Sequence, residues 1–98
     1  MIDISAGHLE IVKKILAETV PDAKVFVFGS RATGIAKKHS DLDLALKGSA
    51  VVDKKILRSL AVAFEESDLP FRVDIIDLNA TKENFRTIIE KQAVPIDE

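Results

Sequence analysis

Two spacings of apolar residues alternate along the chain and divide it into elements. From Ile4 to Val20, Leu9, Val12, Leu16 and Thr19 recur at helical spacing, flanked by Ile11 and Ile15, with Glu10, Lys13, Lys14 and Glu18 on the polar side. Ser5 or Asp3 is placed to cap this helix and Pro21 to end it. A strand is expected from Lys24, where Val25 to Phe28 form a β-branched and aromatic run closed by Gly29. From Asp41 to Leu46 the period changes to two, with Asp41 and Asp43 alternating against Leu42, Leu44 and Leu46. A second helix follows, with Ser49 as its cap and Asp53 near its first turn. Its buried stripe is Ile56, Leu57, Leu60, Ala61 and Phe64, and it closes near Ser67 and Asp68, ahead of Pro70. Phe71 to Asp77 reads as a third strand. A last helix is expected to begin near Thr81, bury Phe85, Ile88 and Ile89, and fade by Gln92, because Pro95 forbids a simple continuation. The tail Ala93 to Glu98 fits a frayed end, a small edge strand or a partner contact equally well.

This order of elements predicts an α/β fold. It is a small mixed sheet of three or more strands with helices mainly on one face, in a single domain over residues 1–98. The strand, helix and strand between Asp41 and Asp77 suggest a right-handed crossover onto the same sheet. Leu42, Leu44, Leu46, Val73 and Ile75 should line the covered face, leaving the other face open.

Candidate chemistry gathers between Lys24 and Leu46. With no side chain at Gly29 another backbone or a ligand can come close, and successive amides in the Gly29–Ser30 turn can form an anion seat. A short helix over Arg31 to Ile35 would point its positive end at that turn. Asp41 and Asp43 share a strand face, with Cα atoms roughly 6.5 to 7 Å apart. Carboxylates paired in this way repel unless a cation lies between them, and oxygen-only ligands favour magnesium or manganese over zinc. In the third strand Phe71, Val73 and Ile75 make a core face. That parity puts Asp74, with Arg72 and Ile76, on the side of the first two acids. Asp77 has the opposite parity and suits a backbone-binding role in the turn through Leu78 and Asn79. Taken singly, the glycine–serine turn is an ordinary loop and the acids are ordinary exposed positions; their conjunction points to a site.

Composition narrows the class. The 98 residues carry a net charge of −2 with a pI near 5.7, which argues against coating nucleic acid as the main task. There is no cysteine, so disulfide frameworks and thiolate zinc sites are excluded. The N-terminus, M-I-D-I-S-A-G-H, lacks the pattern of a secretory leader and no run reaches membrane-spanning length, so a cytoplasmic location without a membrane partner is the expectation. Lys37, Lys38 and His39 form a basic knot that reads either as a contact to phosphate or an acidic partner, or as a solvated loop. His8 and His39 are not read as metal ligands.

Gly29, Ser30, Arg31, Ala32, Thr33 and Gly34, then a spacer, then Ser40, Asp41, Leu42, Asp43 and Leu44 resemble the signature of the nucleotidyltransferase superfamily that includes DNA polymerase beta. In so short a chain the resemblance is greatest to the minimal nucleotidyltransferase (MNT) domains, antitoxins that often occur beside a helical HEPN-domain partner. The resemblance implies a catalytic, metal-binding set of Asp41, Asp43 and Asp74 holding two Mg²⁺ ions, with Mn²⁺ as the substitute. It implies a nucleotide and phosphate set of Gly29, Ser30, Arg31, Gly34 and Ser40. The implied reaction transfers a nucleoside monophosphate, AMP from ATP, to a hydroxyl such as a tyrosine on a HEPN-like toxin, with release of pyrophosphate. Two other readings stay open: a non-catalytic antitoxin that masks its partner, and a small-molecule nucleotidyltransferase whose acceptor pocket a homodimer supplies.

Overall fold

A computed structural model describes residues 2–37 and 40–97; Lys38 and His39 of the basic knot lie outside the described residues. The order of elements is α1 (Ala6–Thr19), β1 (Lys24–Phe28), α2 (Ser30–Thr33), β2 (Leu42–Lys47), α3 (Lys54–Glu65), β3 (Val73–Asp77), a 3-10 turn (Leu78–Ala80), α4 (Glu83–Gln92) and β4 (Val94–Pro95). Ser5 caps α1, its side chain accepting from the His8 amide at 3.3 Å.

The sheet is mixed, in the order β3-β2-β1-β4. β1 runs antiparallel to both β2 and β4, whereas β2 and β3 are parallel and joined through α3. The tail is thus an edge strand, anchored by the Ile96 amide on the Val25 carbonyl at 3.0 Å and by the buried Ile96 side chain.

Leu42, Leu44 and Leu46 are fully buried on one sheet face with Val27, and Val73 and Ile75 pack against them. Val12 and Leu16 of α1 and Leu60 and Phe64 of α3 complete this core, as the two spacings predict. At about 25 cal/mol per Å² of apolar surface removed from water, each fully buried leucine contributes about 2 kcal/mol. The opposite face is not wholly open. Ala45, Leu78 and Ile89 form a second, smaller core with Phe26, Phe28 and Ile76, so the 3-10 turn and α4 cover part of this face.

Three local expectations need correction. Of the stripe expected on α3, Leu60 and Phe64 are buried and Leu57 half-buried, but Ile56 and Ala61 are exposed, because the helix meets the core along the line through Leu57, Leu60 and Phe64. The cap of α3 is Asp53, which accepts from the Lys55 amide at 2.8 Å, and not Ser49. The chain from Gly48 to Val52 is held to the end of β3: Asn79 Nδ2 donates to the Gly48 and Ala50 carbonyls, and the Val52 amide donates to Asp77, so the helix cannot begin earlier. On α4 only Ile89 is buried, while Phe85 and Ile88 are 49% and 57% exposed.

Candidate active site

The site forms where β1 ends and the parallel pair β2–β3 begins. Asp43 of β2 stands in register with Phe28 on one side and Asp74 on the other. Register partners in neighbouring strands share a face at about 5 Å between backbones, so Asp43 and Asp74 are adjacent on the less covered face. The Leu42 amide continues the ladder by donating to the Arg72 carbonyl at 2.8 Å, which puts Asp41 at the lip of the same pair. Asp41 and Asp74 are exposed and Asp43 is half-buried. Burial first, then the charges of Asp74 and Asp41, push the Asp43 carboxyl above its ordinary value. Among the described residues none donates a hydrogen bond to these three carboxylates.

Gly29 brings the turn to the acids. Its φ of +76° with ψ of −158° lies in a region essentially reserved for glycine, and a Cβ there would collide with the Asp43 carboxylate. Ser30 opens α2, whose first amides lack intrahelical carbonyls. The Gly29 amide itself is taken: it donates to Gln92 Oε1 of α4 at 2.8 Å. Gly34 closes α2 in the left-handed conformation at φ +84°, and apart from its chain neighbours no described residue lies within 4 Å of where its Cβ would be.

Arg31 and Ser40 brace the loop rather than face the acids. Arg31 is 6% exposed; its Nε and Nη2 donate to the Ser40 carbonyl at 3.0 and 2.8 Å, and Nη1 donates to the Asp3 carbonyl at 2.7 Å. The guanidinium also lies 4.3 Å from the centroid of the Phe71 ring. Ser40 Oγ accepts from the Lys37 amide at 2.8 Å, so the basic loop is folded back just before Asp41. Asp77 is buried, its two oxygens accepting from the Val52 and Asn79 amides at 2.7 and 2.9 Å. Gln92 is the residue that sequence reasoning missed. The signal was there, because Gln92 occupies the next place at 3–4 spacing after Phe85, Ile88 and Ile89, where a packing helix would carry an apolar side chain.

The donor set suits a hard divalent cation: three carboxylates, no sulfur and no imidazole, with like charges crowding Asp43. Among the described residues no three acidic or histidine side chains already enclose a common point. The register sets the backbones of Asp43 and Asp74 side by side.

A strand-to-helix turn beside paired strand acids on a mixed sheet defines a nucleotidyltransferase. The family model "Polymerase beta, Nucleotidyltransferase" matches residues 10–97, and the chain belongs to that family. A Haemophilus influenzae protein named "Probable protein adenylyltransferase MntA" is 50% identical over 97 residues, covering 99% of this chain and 85% of that protein. The fold is also that of a toxin–antitoxin crystal structure with AMP-PNP, with a TM-score of 0.75 at 24% identity over 90% of this chain and 71% of the other. It is likewise that of the complex of a tri-AMPylated Shewanella oneidensis HEPN toxin with its MNT antitoxin, with a TM-score of 0.61 at 19% identity over 90% and 67% of the two chains. Among the described residues no helix is long and apolar enough to cross a membrane.

Proposed function

We propose that this chain is a magnesium-dependent nucleotidyltransferase that moves AMP from ATP to a hydroxyl of a HEPN-domain toxin, releasing pyrophosphate and silencing the toxin. The observation that carries the reading is the meeting of Asp43 with Asp74 on one side and with Gly29 on the other. Its support from relatives is the adenylyltransferase name of the half-identical Haemophilus protein and the AMPylated toxin held by a protein of the same fold.

Asp41, Asp43 and Asp74 hold two Mg²⁺ ions in this reading. Bound there, the ions supply charge neutralisation for the phosphates and acidity for the acceptor hydroxyl. Gly29 leaves room for the triphosphate against β1, and the Ser30 hydroxyl and the first amides of α2 hold its β- and γ-phosphates. Asp74, on the far side of Asp43 from the turn, takes the proton of the acceptor hydroxyl. The hydroxyl oxygen then bonds to the α-phosphorus as the bond from that phosphorus to the bridging oxygen breaks, and pyrophosphate leaves on the β1 side. Arg31 acts as a positioning residue: by gripping the Ser40 carbonyl it sets where Asp41 begins. Such chemistry draws on ATP in the cytoplasm, where the chain would act.

Incubating the chain with α-labelled ATP, Mg²⁺ and a HEPN-domain toxin from the same organism tests the reading. Label on the partner, lost with Asp43→Asn, is expected. No label with any of the four nucleoside triphosphates contradicts it.

A further inference from the structure

Gln92 stands 63 residues from Gly29 in sequence, yet its side chain closes the turn beside the acids. The atom 2.8 Å from the Gly29 amide must be the acceptor, because that N–H donates, and this fixes which end of the carboxamide is oxygen. Nε2 therefore carries two hydrogens with no acceptor among the described residues. It belongs to the same rigid, planar group that is pinned at the turn, and Gln92 is only half-buried. A capping oxygen alone would be an ordinary way to satisfy one amide. A donor pair held beside a proposed phosphate seat is more than that.

We infer that Gln92 is a triphosphate-binding residue: Oε1 pins the Gly29 amide, and Nε2 donates to a β- or γ-phosphate oxygen of the nucleotide. The inference rests on the proposed nucleotidyltransferase reading and adds to it a residue on α4, outside the Gly29–Asp43 stretch. It explains why a polar side chain occupies the place where the apolar stripe of α4 would continue. It also links the phosphate turn to the helix that carries the exposed Phe85 and Ile88.

Gln92→Glu separates the two roles of the side chain. Glutamate keeps the shape and an acceptor for the Gly29 amide, but exchanges the donors for a negative charge facing phosphate. Calorimetric titration with ATP and with AMP, each with saturating Mg²⁺, reads the difference. The loss of a charge-assisted hydrogen bond predicts that Gln92→Glu weakens ATP binding by about tenfold or more. AMP, which lacks the outer phosphates, should bind as it does to the wild type, with an unchanged melting temperature. Gln92→Met, which removes the donors without adding charge, should shift the ATP-to-AMP ratio the same way and stands in if the glutamate variant does not fold. Unchanged ATP binding in either folded variant, or equal losses for ATP and AMP, overturns the inference and leaves the enzymatic reading intact. Failure of the folded wild type to bind ATP removes both.

Discussion

The two ends of the parallel pair β2–β3 carry aspartates with opposite fates. At the C-terminal end Asp77 is 6% exposed, and its two oxygens are filled by the Val52 and Asn79 amides. At the N-terminal end Asp43 lies between Asp74 and Asp41, accepts nothing from the described residues, and titrates above its ordinary value. The residue type is the same and the two strands are parallel neighbours; the difference is the partner. A carboxylate already satisfied by backbone is a structural brace, whereas carboxylates that crowd one another without donors are, in the proposed reading, the seat of a cation.

Breaking the open end should show the largest effect. Asp43→Asn is expected to lower nucleotidyl transfer about a thousandfold or more, since several kcal/mol of transition-state charge stabilisation depends on what the carboxylates bind. Asp77→Ala should leave transfer per folded molecule unchanged, and a comparable loss there would erase the distinction between the two ends. Gly29→Ala comes next. Forcing a side chain into the glycine-only region costs about 1–3 kcal/mol and drives a Cβ against the Asp43 carboxylate. A urea titration reads the first effect, and transfer reduced by about a hundredfold reads the second, the scale of misplacing a reacting group by about 1 Å.

At the closed end Asp77→Ala strands two backbone donors. It should lower unfolding free energy by about 1–3 kcal/mol in urea, with hydrogen exchange rising first between Gly48 and Val52. The smallest effect sharpens the comparison from the other side. An acid raised above 3.8 on folding binds protons in the native state that the unfolded chain has already released. Stability therefore falls as pH rises through that window, and the deficit persists above the folded value. Asp43→Asn should consequently melt about 1–4 °C above the wild type at pH 7. The gap should close below pH 3.8, and also on adding Mg²⁺, which stabilises the wild type selectively.

Much of this contrast could be read from the chain before folding. The alternation of Asp41, Leu42, Asp43 and Leu44, and the parity that separates Asp74 from Asp77, depend only on the two-residue period of a strand. Both are met in the sheet register. Gly29 was legible as a place where the lack of a side chain lets another group come close, and the Asp43 carboxylate stands where a Cβ would be; its positive φ was not legible. What escaped is set by contacts distant in sequence. The carbonyls of Ser40 and Asp3 and the ring of Phe71 turn Arg31 inward, and the attachment of the Gly48–Val52 segment to Asp77 and Asn79 moves the start of α3 from Ser49 to Asp53. On α4 the apolar spacing was read as three buried residues. The helix presses only Ile89 against Ala45 and Leu78, which leaves Phe85 and Ile88 in solvent and sets Gln92 against the turn.

The proposed function requires Asp41, Asp43 and Asp74 to form a cation site beside a phosphate-binding turn. Crystals of the chain soaked with Mn²⁺ and a non-hydrolysable ATP analogue, measured for anomalous scattering, test it most directly. Manganese peaks between these three carboxylates, with the triphosphate lying along Gly29 and Ser30, are the predicted result. Ordered nucleotide elsewhere, or a filled turn with no manganese at the acids, would contradict it.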